Sequence, residues 1–186
     1  MSKHLPMTTA FLISIIAAVA LSGSRLAQAA DEPLLVQDSK AALESLYSGS
    51  PGAKALGDKA RGILVFPNIV KAGFVVGAQT GDGVLFVKGR TFAKYNTSAV
   101  SVGMQAGAQS FGYVLFFMSD KVLKDFENSR NFTIGAGPSI VIVDAGVAKD
   151  LSNLTIKADV YAMIFDQKGL MAGLGLQGSK ITRLGS

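Results

Sequence analysis

The spacing of apolar and polar residues changes at about residue 62, and this change divides the chain into two regions. Over residues 33–48 the apolar side chains recur at helical spacing, which predicts an amphipathic helix. Ser50 and Pro51 suit an N-cap and a first helical position, so we expect a second, shorter helix that ends near residue 60. The first part of the fold is therefore predicted to be helical.

After residue 62 the spacing is that of β-strands, in segments rich in Val, Ile and Phe. Two short interruptions have the composition of turns, namely Pro67-Asn68 and the Gly-Asp-Gly sequence at 81–83, and we place turns at both. The expected strands cover residues 63–66, 72–79, 84–89, 92–95, 98–108, 111–118, 132–135, 139–144, 155–165, 169–177 and 179–183.

One further helix is expected within the strand region, because Ser119 can cap a helix over residues 120–128. The whole pattern predicts an α+β protein that is mostly antiparallel β. Its body would be a small, strongly curved, barrel-like sheet, with N-terminal helices and this one mid-chain helix. We expect a single domain over residues 30–186, with a helical part at 33–60 and a β-rich body at 62–183.

Residues 1–29 have the pattern of a signal peptide. Lys3 and His4 give a positive start, residues 11–21 are apolar, and the Ala-Gln-Ala sequence at 27–29 has small residues where a signal peptidase cleaves. The apolar stretch is shorter than the roughly 20 residues of a membrane-spanning helix. We therefore expect export to a bacterial periplasm or medium, with an uncleaved N-terminal anchor as the alternative.

The residue types that the chain lacks exclude several kinds of chemistry. There is no Cys and no Trp, and the single His is His4, inside the expected signal peptide. The remaining chain has no residues for Ser-His-Asp or Cys-His catalysis, thiol redox chemistry or a His/Cys zinc site. We expect a protein that is not an enzyme and has no cofactor and no metal. A net charge of +5 is mild and does not indicate nucleic acid as a partner.

The positive charge is concentrated in residues 54–94, where only Asp58 and Asp82 oppose it. Such a cluster could hold anionic lipid headgroups, each cation contributing about 1 kcal/mol near an acidic membrane surface. It could equally be a solvated rim that keeps strand edges from pairing with other chains. The basic residues of this segment are Lys54, Lys59, Arg61, Lys71, Lys88, Arg90 and Lys94.

Within this set we select Lys59, Arg61 and Lys71 as the headgroup site. Lys59 and Arg61 lie between the short helix and the first strand, and a turn at Pro67-Asn68 would return Lys71 to the same rim. Lipid binding and a solvated rim both remain open from the residues alone.

Glycines recur on one face of the expected strands. Gly73 and Gly77 share a strand parity, as do Gly103 and Gly107. Glycine inside a strand often marks a bend or the close approach of another group. These four residues are therefore predicted to form either a closely packed face or a face that leaves room for an acyl chain.

Three separated segments, in this order, resemble the SYLF domain family. They are KARGILVFPNIVKAGFVVGAQTGDGVL, SAVSVGMQAGAQSFGYVLFFMSD and GLMAGLGLQGSKI, and the resemblance extends over about residues 50–183. The family is a lipid-binding module of eukaryotic membrane-traffic and actin-linked proteins that also occurs alone in bacteria. The resemblance implies binding of phosphoinositides and other acidic lipids, with Lys59, Arg61 and Lys71 at matching basic positions.

The resulting interpretation is a non-enzymatic protein of the bacterial envelope, peripheral on a membrane, that binds anionic or phosphoinositide-like lipid headgroups through its basic rim. One alternative is a structural or interaction module of the periplasm that binds an envelope protein and no lipid. Another is a small outer-membrane β-barrel, since alternating strands after a signal peptide also fit that pattern.

Overall fold

The computed structural model describes residues 34–73, 76–102, 107–144, 158–169, 176 and 178–185. Apart from its first residue, this part of the chain belongs to one compact unit, Leu35–Ser186. The expected signal peptide and Gly103 lie outside the described residues, and so do parts of the strands expected at 155–165 and 169–177.

Three helices are described, at the places that the sequence predicts. Helix α1 covers 34–49, α2 covers Pro51–Lys59 and α3 covers Asp120–Asn128. The hydroxyl of Ser50 accepts a hydrogen bond from the Ala53 amide, and Ser119 caps α3 in the same way. Each cap satisfies an amide that has no partner inside its helix. Within the described parts of the chain, none of the helices has the length and apolar character needed to span a bilayer.

Eight strands form one mixed sheet in the order β5-β8-β3-β2-β1-β4-β7-β6. All neighbours are antiparallel except β6 and β7. The predicted fold class, α+β with a curved and mostly antiparallel sheet, is confirmed. The strands are β1 Gly62–Gly73, β2 Val76–Val87, β3 Arg90–Val102, β4 Gly107–Phe117, β5 Asn131–Thr133, β6 Ile140–Asp144, β7 Val160–Gly169 and β8 Lys180–Leu184.

The sheet is covered on both sides over about half of its height, and each side has its own apolar core. We call the two sides the α3 face and the α1–α2 face, after the helices that pack on them. The α3 face is built on Leu64, Phe66, Phe111, Tyr113, Phe117, Val122, Leu123 and Phe126, among others. The α1–α2 face is built on Leu46, Leu56, Val65, Val84, Val114, Phe116 and Phe165, among others.

Both predicted turns are wrong, because the chain continues as strand through each of them. Pro67-Asn68 is a bulge inside β1, where the register shifts by one residue against both β2 and β4. Proline lacks an amide hydrogen and is therefore suited to the unpaired position of a bulge. The glycines of 81–83 lie opposite: a Cβ on Gly83 would come within 2.5 Å of the Phe66 ring and the Val65 carbonyl oxygen. Because these glycines have no side chains, the backbone of β2 can lie directly beside the bulge.

The true turns give the sheet two distinct ends. A two-residue turn, Lys88-Gly89, joins β2 to β3 with positive φ at both residues, 52° and 74°, as in a type I′ hairpin. The strand expected at 98–108 is wrong, because β3 ends at 102 and β4 begins at 107. We call the end of the sheet where β1 and β3 finish and β2 and β4 begin the hairpin end, and the opposite end, beside α2 and α3, the helix end.

The core under α3 provides a test of this packing. The Phe126 ring lies 4.7 Å from that of Phe117, 4.9 Å from Tyr95 and 5.1 Å from Phe132, between ring centroids. We expect Phe126→Ala to lower the free energy of unfolding by about 3–5 kcal/mol, because it removes a buried ring from three aromatic contacts. Chemical denaturation would measure it. Lys124→Ala, on the exposed side of the same helix, should change the value by less than about 0.5 kcal/mol, and equal losses in the two variants would contradict this packing.

Candidate functional site

Two of the predicted headgroup residues, Lys59 and Arg61, lie together at the helix end. Lys59 is in the last turn of α2, and the Arg61 amide donates a 2.8 Å hydrogen bond to the Phe117 carbonyl oxygen at the end of β4. Both side chains are exposed. The Arg61 Nε is 3.9 Å from a carboxylate oxygen of Asp120, so one acidic side chain lies next to these two cations.

Lys88 and Arg90 extend this rim. Gly62 pairs with Val87, and Val87 also pairs with Arg90, so the β2–β3 turn lies next to Arg61. We call Lys59, Arg61, Lys88 and Arg90 the basic rim. A Lys-Gly turn between two alternating strands was the signal in the sequence that could have placed Lys88 here.

The structure does not bring Lys71 to the basic rim. Because Pro67-Asn68 is a bulge and not a turn, β1 runs on to the hairpin end, and Lys71 lies ten residues beyond Arg61. At about 3.3 Å per residue this separates their backbones by roughly 30 Å. The Lys71 side chain points to the α3 face, and the residue is only 5% exposed.

Three of the four predicted glycines do come together, close to Lys71. Gly73 pairs with Gly77 on one side and Gly107 on the other. A Cβ on Gly73 would approach the Gly77 Cα to 2.3 Å and the Val76 carbonyl oxygen to 2.5 Å, so this glycine lets the hairpin close tightly. A Cβ on Gly107 would meet nothing within 4 Å. Gly103 lies outside the described residues.

A row of buried polar residues crosses the sheet beside these glycines. Lys71 pairs with Gln79 on β2 and with Gln109 on β4, and paired residues point to the same face. Both glutamines are 5% exposed. The Gln79 Nε2 donates to the Ser179 hydroxyl over 3.1 Å. The Oε1 of Gln109 and the Oγ of Ser101 are buried, and neither has a hydrogen-bond partner in the described structure.

The next row of the α3 face is apolar apart from one internal hydrogen bond. Ile69 and Phe111 are paired and fully packed there. The Tyr113 hydroxyl donates to Thr97 Oγ1 over 2.7 Å. Burial raises the pKa of Tyr113 far above its ordinary value, so this hydroxyl stays protonated. The polar row thus lies directly on the apolar core.

The opposite side of the same strands is apolar and uncovered. Val70, Val76 and Val100 are 49%, 59% and 75% exposed. They lie beyond the part of the α1–α2 face that the helices cover, where the chain has only small residues around them. We call this surface the valine patch; its members are Val70, Val76, Val100, Ala72, Ala78 and Ala108.

Two lysines flank the valine patch. In the row that contains Val70, Ser110 pairs with Lys168 on β7, and Ser98 pairs with Lys180 on β8. Both lysines are exposed. The nearest acidic residue on this face of β2 is Asp82, whose carboxylate accepts a 2.7 Å hydrogen bond from Asn96, and Asp166 lies at the bulge before Lys168.

A groove of about 560 Å³ runs between α3 and β5. Its lining includes Lys121, Asp125, Phe126, Asn131 and Asp159. Lys121 and Asp125 form an ion pair with 2.7 Å between Nζ and Oδ2, so their charges neutralise each other. No group of three or more His, Asp or Glu side chains that could hold a metal ion is found in the described ranges.

Comparison with known proteins shows that part of the chain is similar to one family. The family model Ysc84, described as "Las17-binding protein actin regulator", matches residues 98–185. Residues 98–185, a little under half of the chain, are thus similar to the Ysc84 (SYLF) family. This confirms the resemblance that the sequence segments predict. The matched part begins in β3 and includes α3 and all later strands, whereas β1 and β2 precede it.

Similar proteins with curated names are vertebrate. The chain is 24% identical over 127 residues to the SH3 domain-containing YSC84-like protein 1 of Homo sapiens and of Rattus norvegicus, and 28% identical over 131 residues to that of Xenopus laevis. These alignments cover 65% of this chain but only 36–37% of the relatives. The chain therefore spans little more than a third of the length of those relatives.

A substitution at Gly73 can distinguish the two roles predicted for the glycine face, which are close packing of the strands and room for an acyl chain. We expect Gly73→Ala to lower the free energy of unfolding by about 1–3 kcal/mol, because the new methyl group would collide with backbone atoms of β2. Thermal or chemical denaturation would measure it. Gly49→Ala, at the end of α1 where a Cβ meets nothing within 4 Å, is the matched control and should be close to neutral. A Gly73→Ala protein of unchanged stability that has lost lipid binding would instead support the acyl-chain role.

Proposed function

We propose that this protein is a non-enzymatic, peripheral membrane-binding protein of the bacterial envelope, and that its hairpin end binds membranes that contain anionic lipids. The observation that carries the proposal is the valine patch, an apolar surface of the sheet with a lysine on either side. The family supports a binding role, since its description names a binding and regulatory protein.

The backbone at the hairpin end is suited to an apolar environment. The ladder of β4, β1, β2 and β3 continues to the last described residues of these strands at this end, so the backbone groups between them are paired. A paired backbone avoids the cost of several kcal/mol that each free amide or carbonyl group would incur in hydrocarbon. The small residues of the patch would let a flat surface approach this backbone closely.

The energies are of the size that reversible binding requires. Burying an exposed valine side chain completely contributes about 1.5–3 kcal/mol, and Val100 is the most exposed of the three. A lysine near an acidic bilayer adds about 1 kcal/mol. Three partly exposed valines with Lys168 and Lys180 therefore supply several kcal/mol, which is typical of peripheral association and far below that of a spanning helix.

The basic rim offers a second surface for headgroups, as predicted from Lys59 and Arg61. Its charges have no exposed apolar patch beside them. The exposed aromatic residue near Arg90 in the chain is Phe92, and the Arg183 guanidinium covers its ring, with 5.4 Å between the guanidinium carbon and the ring centroid. The two surfaces are at opposite ends of the sheet. Membrane contact through one would leave the other free for a different partner, for example an envelope protein.

The apolar contribution can be measured with one substitution and a matched control. We expect Val100→Asp to weaken binding to phosphatidylglycerol vesicles by about tenfold or more, because a charge replaces the most exposed valine of the patch. Vesicle co-sedimentation of the full chain would measure the affinity. Val141→Asp is the matched control, because it introduces the same charge at a valine on β6 that is 42% exposed and lies outside the patch. The Val141→Asp protein should bind the vesicles as the wild type does. Equal affinities of all three proteins, or no wild-type binding, would refute the proposal.

The two ends of the sheet can be compared by charge reversal of equal size. We expect Lys168→Glu/Lys180→Glu to reduce binding to anionic vesicles by about tenfold or more at low salt, and the difference from wild type to shrink as salt is added. Lys59→Glu/Arg61→Glu should retain most of the binding. The reverse result would move the membrane contact to the basic rim, and unaffected binding in both variants would favour an interaction with protein.

A further inference from the structure

The two outer strands of the described sheet differ in how their free sides are closed. The strand order places β5 at one edge and β6 at the other. A free edge presents backbone amide and carbonyl groups that can pair with another chain, and native proteins usually protect it. An edge that the chain leaves open is therefore a candidate interaction surface.

The chain closes the free side of β5 itself. The Ile134 amide donates a hydrogen bond to the segment just before β8, so by strand alternation the backbone groups of Asn131 and Thr133 face away from β8. On that side the Ser129 hydroxyl donates to the Asn131 carbonyl oxygen over 2.8 Å. The Ala136 amide donates to the Thr133 carbonyl oxygen over 3.1 Å. Both outward carbonyl groups of this three-residue strand are thus already bonded.

The free side of β6 has no such closure within the described ranges. The Ser139 carbonyl oxygen accepts a 3.2 Å hydrogen bond from the Val160 amide of β7. Alternate residues of a parallel strand face the same neighbour, so the odd-numbered residues of β6 face β7. The even-numbered ones, Ile140, Ile142 and Asp144, direct their amide and carbonyl groups away from it. No described residue outside the strand bonds to these outward groups.

The side chains of β6 do not protect this edge either. Protected edges usually have lysine, proline, an inward-pointing charge or a bulge. Residues 140–143 are all Ile or Val, and the pairing of β6 with β7 is regular throughout. Ile142 is 38% exposed on the α3 face, and Val141 is 42% exposed on the α1–α2 face. An open backbone edge therefore has exposed apolar side chains on both of its faces.

We propose that β6 is a dimerisation strand, which pairs in an antiparallel manner with β6 of a second copy of this chain. A two-fold axis at Ile142 places Ile142 opposite its own copy and Ile140 opposite Asp144, so every outward backbone group of the strand gains a partner. The same register places Val141 opposite Val143 of the second copy. The apolar residues on both faces are then covered by the same sequence that exposes them.

The sequence of β6 is suited to pairing with itself. Its one charged residue, Asp144, is at its end, so the two copies of Asp144 lie at opposite ends of the pair and like charges are not opposed. Because β5 closes the other edge, assembly should stop at two chains and not continue into a fibre. A pair of five-residue strands is small beside the interfaces of about 1,200–2,000 Å² that hold stable complexes, so the dimer should dissociate on dilution.

The mass of the full chain in solution tests the proposal. We expect sedimentation velocity to show an average mass that rises from one chain toward two as the protein concentration increases, and that rises no further. A single chain at every concentration would overturn the proposal, and so would growth beyond two chains.

A lysine on the axis tests the edge itself. We expect Ile142→Lys to raise the dissociation constant of the dimer by about tenfold or more, because it places two like charges opposite each other. Leu184→Lys is the matched control, since Leu184 is also 38% exposed and lies on β8, with five strands between it and β6. Leu184→Lys should dimerise as the wild type does. A dimer that Ile142→Lys keeps, or that both variants lose, would refute the role of β6.

Proline distinguishes the two sides of β6. Ile142→Pro removes an amide that faces away from β7, so the variant should keep the melting temperature of the single chain and lose the dimer. Val141→Pro removes an amide that faces β7, so it should also lower that melting temperature. An Ile142→Pro protein that still dimerises would contradict the pairing.

A cysteine on the axis reports the register, because the chain has none of its own. Paired residues that exchange both hydrogen bonds have Cα atoms about 5.5 Å apart, which is within the range of a disulfide. We expect Ile142→Cys to form a disulfide-linked dimer on mild oxidation and Leu184→Cys to stay monomeric. A failure of Ile142→Cys to cross-link would overturn this register.

Dimerisation and membrane binding can be measured separately. Val141→Asp should weaken the dimer, because it places a carboxylate opposite Val143 of the second copy. At dilutions where wild type and variant are both single chains, Val141→Asp should still bind vesicles as the wild type does. Loss of the dimer with intact vesicle binding supports β6 as the dimer strand, whereas a Val141→Asp protein that dimerises normally would contradict it.

Discussion

The bulge at Pro67-Asn68 determines the chemistry of the hairpin end. Before it, Leu64 and Phe66 point to the α3 face, and after it the odd-numbered Ile69 and Lys71 do so, since one extra residue changes the phase of the strand. A regular β1 would place Lys71 on the open face of the sheet and would turn Val70 inward. One inserted residue therefore buries the lysine and exposes the valine, and the valine patch depends on it.

Local signals in the sequence were sufficient for the helices and insufficient for the sheet. The caps at Ser50 and Ser119 act on amides within three residues, so the sequence alone predicts them. Pro67-Asn68 suits a turn and a bulge equally well, and what decides between them is β2, where small residues of 81–83 pass the bulge. The two lysines that flank the valine patch come from β7 and β8: Lys168 lies 58 residues after Ser110, its partner on β4, and Lys180 lies 82 residues after Ser98, its partner on β3. No local pattern could have joined them.

The part matched by the family model cannot be separated structurally from the strands before it. Residues 98–185 include β4 and all the described strands that follow, but β4 pairs with β1, and β3 pairs with β2 along its length. The four central strands bury their apolar residues against one another on both faces. The alignments with the vertebrate relatives, at 127–131 residues, are long enough to include these strands. The physical unit is thus larger than the matched segment.

The distribution of polarity at the hairpin end is the reverse of that in most sheets in water. An antiparallel sheet with one solvated face normally has its apolar residues toward the core and its polar residues toward solvent. Here the row next to the core contains Lys71 and two glutamines, while the open face contains three exposed valines among alanine, serine and threonine. Each half of this arrangement is unfavourable in water alone: the first leaves polar groups without partners, and the second leaves apolar area exposed. An apolar phase on the open side would remove the second cost, because it would cover the three exposed valines.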